Sequence, residues 1–340
     1  MPLSSGKRAL LALAVLLLIA LAVGGIFLLR MHRPLPPASS GRPPDIMSLL
    51  PSESPVVVYI DAASLRGLQG SPLAAVLGLA SPGPQIDRDY AQFVQSTGFD
   101  YTRDLDHAAI AFWPAGLATP ANPMGDDRAI VFADGRFDQP KIIAYALRTG
   151  HAELRGTQSV YEVPGNPPVA FEFLAADRIE LASGKDAASL LGPAVGTPRD
   201  PAMEERIHRV AGAPLFAVAR MDRMPNSFYA NFRNAPQVDR YVRSLRALSL
   251  SGKPQDDRID LALDAECDSM KNALEISTLL QTVRVFGTVA ISDPRARSQM
   301  TREQYDFART FLKQLKITPQ DRWVRLTFEV TPEMLRSASR

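Results

Sequence analysis

Four side chains able to do acid–base or cation chemistry crowd into one stretch, "GFDYTRDLDHAAIAFW": Asp100, Asp104, Asp106 and His107, just ahead of an apolar run. Carboxylates beside an imidazole can shuttle a proton or hold a hard cation. The stretch lacks the turn glycine and the terminal Glu of an EF-hand loop. The competing reading is a polar helix-to-strand connection whose Asp side chains cap turns.

Other familiar arrangements fail. His32, His107, His151 and His208 are widely separated, with no H-x-x-H or H-E-x-x-H spacing. Glu205-x-x-His208 has the spacing of half a di-iron site, without the second copy and partner glutamates that such a site needs. "SGKDAAS", Ser183 to Ser189, has part of the P-loop spacing. Ile179 stands where the first glycine belongs, and Asp186 where a hydroxyl would hold magnesium. No G-x-S-x-G or G-x-G-x-x-G occurs. No cofactor or metal is expected from these residues.

One spacing is written twice. "RAIVFADGRFDQPKI" places Arg128, Asp134, Asp138 and Lys141 as "RIDLALDAECDSMKN" places Arg258, Asp264, Asp268 and Lys271. In both, a strand would end at the first Asp and the second would sit at a helix N-cap, its carboxylate accepting from the exposed first-turn N–H groups. Two equivalent ligand sites are the functional alternative to this punctuation. The flanking runs match as well: "PVVVYID" with "PLFAVARMD", and "HAAIAFW" with "LRALSLSG". Coincidence and internal duplication both account for the match. Duplication predicts two similar α+β lobes, each a helix-covered antiparallel or mixed sheet.

The elements that would hold these residues follow from local pattern. Strands are expected at "SPVVVYID", "HAAIAFWP", "RAIVFADG", "SVYEV", "PVAFEFLA", "RIELAS", "PLFAVARMD", "RIDLALDAE" and "RWVRLTFEV". Helices are expected at "SPLAAVLGLA", "IDRDYAQFVQSTG" with Gly98 as its stop, "DQPKIIAYALRTG", "AMEERIHRVAG", the amphipathic "DSMKNALEISTLLQTVRVFG" and "TREQYDFARTFLKQLK". "VDRYVRSLRALSLSG" reads as helix running into strand, and "TPEMLRSAS" as a last helical turn. The Gly- and Pro-containing break from Leu191 to Pro201 separates a first lobe, 46–192, from a second, 200–340.

The chain has 340 residues and a formal net charge of +2, so no global field gathers nucleic acid or anionic substrate. Cys267 is the single cysteine, which excludes an internal disulfide and a cysteine-based zinc site. From Ala9 to Leu29 the sequence is uncharged and apolar, following "GKR". As a helix this run spans roughly 30 Å, the thickness of a hydrocarbon core. Ala20-Leu21-Ala22 would suit signal cleavage, but the apolar run continues seven residues further, so an uncleaved signal anchor over 1–30 is expected. Lys7, Arg8 and the amino terminus lie on one side of the run and Arg30 and Arg33 on the other, which gives a slight preference for the N-terminus inside. The short tail and the large body agree with a body outside the cytoplasm. Residues 31–45, with "RPLPPASSGRPP", form a Pro-rich tether.

A basic–aromatic segment, Ala219 to Arg246, carries Arg220, Arg223, Phe228, Tyr229, Phe232, Arg233, Arg240, Arg243 and Arg246. Such residues suit contact with a protein partner or a lipid headgroup. Nucleic acid fits poorly with a body outside the cytoplasm. Arg240, Arg243 and Arg246, spaced by three, also read as a solvated helix face.

"PVVVYIDAASLRG", "GFDYTRDLDHAAIAF" and "IVFADGRFD", within Pro51 to Gly150, resemble uncharacterised bacterial single-pass membrane proteins with an α+β body outside the cytoplasm. No activity follows from that resemblance. The sequence thus predicts an inner-membrane protein anchored in the bilayer through residues 9–29, with a periplasmic α+β body. It would bind or scaffold an envelope protein partner. A hydrolase or cation-dependent enzyme built on Asp100 to His107 is the alternative.

Overall fold

The computed structural model describes residues 45–66, 88–114, 127–165, 167–192, 200–230, 232, 235–255, 258–298, 300–331 and 334. The expected anchor and tether, the expected helix at "SPLAAVLGLA", most of the 191–201 break, Arg233 and most of "TPEMLRSAS" lie outside them. The protein is α+β, with antiparallel pairing throughout its sheet structure. Two compact units meet in the sequence between Phe228 and Tyr229.

The first unit contains β1 (Val56–Asp61), β2 (Leu105–Trp113), β3 (Arg128–Gly135), β4 (His151–Arg155), β5 (Gln158–Val163), β6 (Val169–Ala175), β7 (Arg178–Ser183) and β8 (Leu215–Arg220). Their order across the sheet is β8-β1-β2-β3-β7-β6-β5-β4. Helices of two turns or more are α1 (Arg88–Thr97), α2 (Gln139–Ala146) and α3 (Pro201–Val210). The apolar run "VVVYID" makes β1 a fully buried interior strand of this unit: all six of its residues are buried. Val58 faces Ile110 of β2 on one side and Ala217 of β8 on the other. A strand so placed can bury apolar side chains on both pleat faces.

One face packs Val57, Tyr59, Ala109, Phe132, Phe216 and Val218 against Ile46, Met47 and Leu50 and against Met203, Ile207 and Val210 of α3. The opposite face carries Ala133, Phe171 and Ile179 under Ile142 and Ala146 of α2. Burying each large apolar side chain contributes roughly 1.5–3 kcal/mol. Asp138 caps α2 as expected, accepting from the Lys141 N–H, and Gly98 ends α1 at φ +73°.

The second unit has β9 (Leu245–Gln255), β10 (Arg258–Cys267), β11 (Lys316–Gln320) and β12 (Trp323–Val330), ordered β9-β10-β12-β11. Its longer helices are α4 (Pro236–Arg243), α5 (Met270–Ser292) and α6 (Arg302–Gln314). Ala273 and Ile276 of α5 and Phe311 of α6 pack on Ala265, Cys267, Val324 and Leu326. Gly287 is buried where α5 meets α6; an added Cβ would lie 3.2 Å from a Leu312 methyl. Cys267 is buried, and burial pushes its thiol pKa up to about 12, so it is a core residue.

The doubled spacing resolves into one shared interaction and two differences: Asp134 stands at the end of β3 as expected, but β10 runs three residues past Asp264, to Cys267. Asp134 on β3 faces Arg178 on β7, which donates twice, at 2.6 and 3.0 Å. Asp264 on β10 faces Arg325 on β12 in the same manner, at 2.7 and 2.7 Å. The helix starts differ. Ser269, not Asp268, caps α5 by accepting from the Asn272 N–H, while Asp268 accepts from the Asn272 side chain. Lys141 pairs with Asp138, but Lys271 pairs with Glu275. The shared feature is therefore the strand-to-strand ion pair, and no Asp–Lys site is repeated.

Asp264 is fully buried while the Asp134 side chain is 21% exposed. Removing the partner of a buried charge costs about 3–5 kcal/mol, and an exposed one far less. Arg325→Ala should therefore destabilise the protein by about 3 kcal/mol and Arg178→Ala by about 1 kcal/mol in denaturant titration. Equal losses would mean that burial does not set the worth of these pairs.

Candidate functional site

The acidic stretch that opens the sequence reading is held between α1 and β2. Asp100 caps the one-turn helix Tyr101–Asp104, accepting from the Thr102 N–H and from the Tyr90 hydroxyl. Asp104 is buried and accepts from the Asp100 N–H at 2.9 Å and from the Arg103 guanidinium. Arg136 lies 3.4 Å away. Burial opposes the charge on Asp104, but the Arg103 hydrogen bond, the Asp100 N–H and the two arginine charges outweigh it. They hold its carboxyl below the usual range. Asp106 is bound by Arg66. His107 lies 3.8 Å from Asp61, whose carboxylate caps the Ala62–Leu65 turn by accepting from the Ser64 N–H and hydroxyl.

A shallow cleft of about 190 Å³ opens here, lined in part by Phe99, Arg103, Asp104, Arg136, Asp138 and Lys141. Its charges already satisfy one another: Arg103 and Arg136 on Asp104, and Lys141 on Asp138 at 2.6 Å. The Lys141 hydrogen bond in turn keeps the Asp138 carboxyl low. A base so engaged has low proton affinity, and an ion-paired carboxylate must give up its partner before it takes a cation. The arrangement is that of a loop clamp. Among the described residues, no three His, Cys, Asp or Glu side chains converge as ligands.

The basic–aromatic segment is divided between the two units. In the first, Arg220 is buried and lies 3.5 Å from both Asp200 and Asp222. Arg223 reaches Glu53 at 3.2 Å, and Phe228 is half-buried. In the second, Tyr229 and Phe232 are buried, and Arg243 lies over the Tyr229 ring at 4.5 Å. Arg220, Tyr229 and Phe232 are thus interior residues, not surface contacts. Arg240, Arg243 and Arg246 are exposed; Arg240 and Arg243 pair with Glu275 and Asp239.

Two features escape the sequence reading. The first is a carboxyl pair, Glu172 on β6 and Glu180 on β7, directly opposite and both buried. Burial pushes Glu180 up to about 8, reinforced by the hydrogen bond and charge of Glu172, with the Gly192 N–H opposing. Polar positions in strands usually face water. Here Glu172 has apolar neighbours on both pleat faces and Glu180 lies between Ile179 and Leu181, which is the signal that the sheet is covered on both sides.

The second is α5. Among the described residues, seven large apolar side chains are exposed, and five of them lie on this helix: Met270, Leu274, Val285, Phe286 and Val289. With Thr278 and Thr282 they form one stripe, at the three- and four-residue spacing that shares a helix face. The helix is therefore apolar on its outer side too, and not amphipathic as its sequence pattern suggests. It is long and apolar enough for a membrane span, yet most of it is not buried. The core helix of a soluble protein passes the same length and hydropathy test, but is mostly buried.

No protein-family model and no curated protein matches the chain. Solved structures titled as crystal forms I, III and IV of TP0453 are similar over 87–88% of this chain and 97–98% of theirs. Their identity is 11–12% and their TM-score 0.45–0.47.

The glutamate pair makes a pH prediction. The folded protein holds a proton on Glu180 that the unfolded chain releases near the usual 4.5, so stability should fall as pH rises from there through about 8. Glu180→Gln should flatten that slope and raise Tm at pH 8 by about 3–5 °C. An unchanged slope in thermal unfolding from pH 5 to 8 would show that the pair does not share a proton.

Proposed function

We propose that the chain is a membrane-anchored binding or scaffold protein whose body lies outside the cytoplasm, in the periplasm where the cell has two membranes. The observation that carries the binding reading is the exposed cluster Arg240, Arg243 and Arg246 standing beside the exposed apolar side of α5. Exposed apolar surface of this extent marks sites of association in soluble proteins. Glu275 of α5 ties Arg240 of α4 at 3.1 Å, so the apolar stripe begins beside the surface arginines. The second unit is then the binding unit, facing an envelope protein through Arg240, Arg243 and Arg246.

The anchor rests on the uncharged run from Ala9 to Leu29 and its flanking Lys7 and Arg8. The two-lobe architecture and the internal duplication are supported by one correspondence. β2-β3-β7-β6 and β9-β10-β12-β11 have the same order, and each places its Asp–Arg pair between the equivalent strands. The enzymatic alternative loses support from the engagement of Asp104, Asp106 and His107 in structural bonds.

Affinity purification of the full chain from detergent-solubilised membranes tests this reading. Replacing Arg240, Arg243 and Arg246 by Ala should lower partner recovery several-fold, and recovery by the unmodified chain should fall as salt rises, since exposed charges are screened over about 8 Å. Asp106→Asn with His107→Gln should leave recovery unchanged. Recovery untouched by the triple-arginine change and by salt, or a chain absent from the membrane fraction, would contradict it.

A further inference from the structure

We propose that the outer side of α5 seats in the interfacial region of a lipid bilayer, lying along the membrane while its inner side stays packed on the second unit. This rests on the anchored reading above and names what the apolar side of that surface binds.

The face has the chemistry that hydrocarbon demands. Between Glu275 and Asp293 the helix carries a single charge, Arg284. That residue is half-buried and donates to the Leu315 carbonyl at 2.8 Å, on the protein side. Three of the hydroxyls on or beside the exposed stripe are satisfied within the helix: Thr282 donates to Thr278, Thr288 to Arg284 and Ser292 to Thr288, each at 2.8 Å to the carbonyl four residues back, which leaves Thr278 as the exposed threonine without such a bond. Such back-bonding leaves few polar groups needing water, which suits lipid, where an unsatisfied group costs several kcal/mol. A protein-binding face would instead display aromatic and arginine anchors with free hydrogen-bonding capacity. This one displays a single aromatic, Phe286, among Met, Leu, Val, Thr and Ser, with no exposed arginine and with Gln281 as its one exposed amide. Exposed charged side chains bound it in the sequence, Asp268 and Lys271 at one end and Asp293 at the other, with Arg302 of α6 following.

The chain also sets the distance. Residues 30–44 join the apolar run to the start of the described body. Fully extended, that segment reaches at most about 50 Å. A body held that close meets the bilayer at high effective concentration, so a modest affinity for the surface suffices. The inner side of α5, with Ala273, Ile276, Ser277 and Gly287, is committed to the core, which favours a helix lying in the interface over one crossing the bilayer.

The test uses the full chain reconstituted into phosphatidylcholine vesicles with brominated acyl chains, which quench a nearby indole. Val285→Trp and, independently, Val289→Trp place a reporter on the stripe; the unmodified protein, with Trp113 and Trp323, is the baseline. The added emission should be blue-shifted, and brominated lipid should reduce it by about half, as expected for an indole 5–10 Å into the acyl boundary. A blue shift without quenching would mean that a second copy or another protein covers the face, and would overturn the proposal. So would emission typical of water. If the chain fails to float with the vesicles, the anchored reading falls as well. If it floats and neither reporter is quenched, only the assignment of α5 fails.

Discussion

The fold depends on the burial of β1 on both sides and both edges. "VVVYID" offers almost no side chain that water would welcome, so the strand needs neighbours in the sheet and layers above and below it. It pairs with β2, the next strand in the sequence, and with β8 from more than 150 residues further along the chain. Backbone bonds from the Asp61 N–H to Pro214 and from the Arg220 N–H to Pro55 close the β1–β8 pair at its ends. The long-range pairing brings α3 and β8 into the first unit, and with them Ile207, Val210, Phe216 and Val218 of its core.

A sheet covered on both faces has no inexpensive place for charge, and its buried and half-buried carboxylates show how the cost is met. Asp134 and Asp264 each take a two-pronged arginine from the adjacent strand. Glu266 is buried and meets Arg322 at 3.1 Å. Glu172 and Glu180 have each other, and the remedy there is a retained proton. Ion pairing fixes strand register without adding much net stability. The proton makes the first unit sensitive to pH. None of these arrangements presents a reactive group to a substrate, which is why the functional reading moves to the surface of the second unit.

Much of this was legible in the sequence where the pattern was local. Apolar runs marked most of the strands, Asp138 and Gly98 marked helix ends, and the doubled spacing pointed to equivalent strands. β4, "HAELR", is exposed along its length and β11, "KITPQ", carries a proline, so neither shows the alternation by which strands are read. The cap of α5 was misplaced by one residue because Asp268 and Ser269 are both competent caps and only geometry chooses between them. Glu172 and Glu180 looked like solvent-facing positions, since burial depends on layers supplied from distant segments. The outer side of α5 was hidden for a related reason. A helix with apolar residues on all sides normally lies inside a core, and sequence alone does not reveal which side the rest of the protein leaves uncovered.

The account therefore stands on β8 belonging to the same cooperative body as β1. Native-state hydrogen exchange on the full chain tests this directly. The amides of β1 and β8 should be among the slowest, and should share one opening free energy and one denaturant dependence, as expected for strands that expose their surface only in a common unfolding step. If the β8 amides exchange through a separate, lower-energy opening while β1 stays protected, the central pairing does not organise the fold and the account fails.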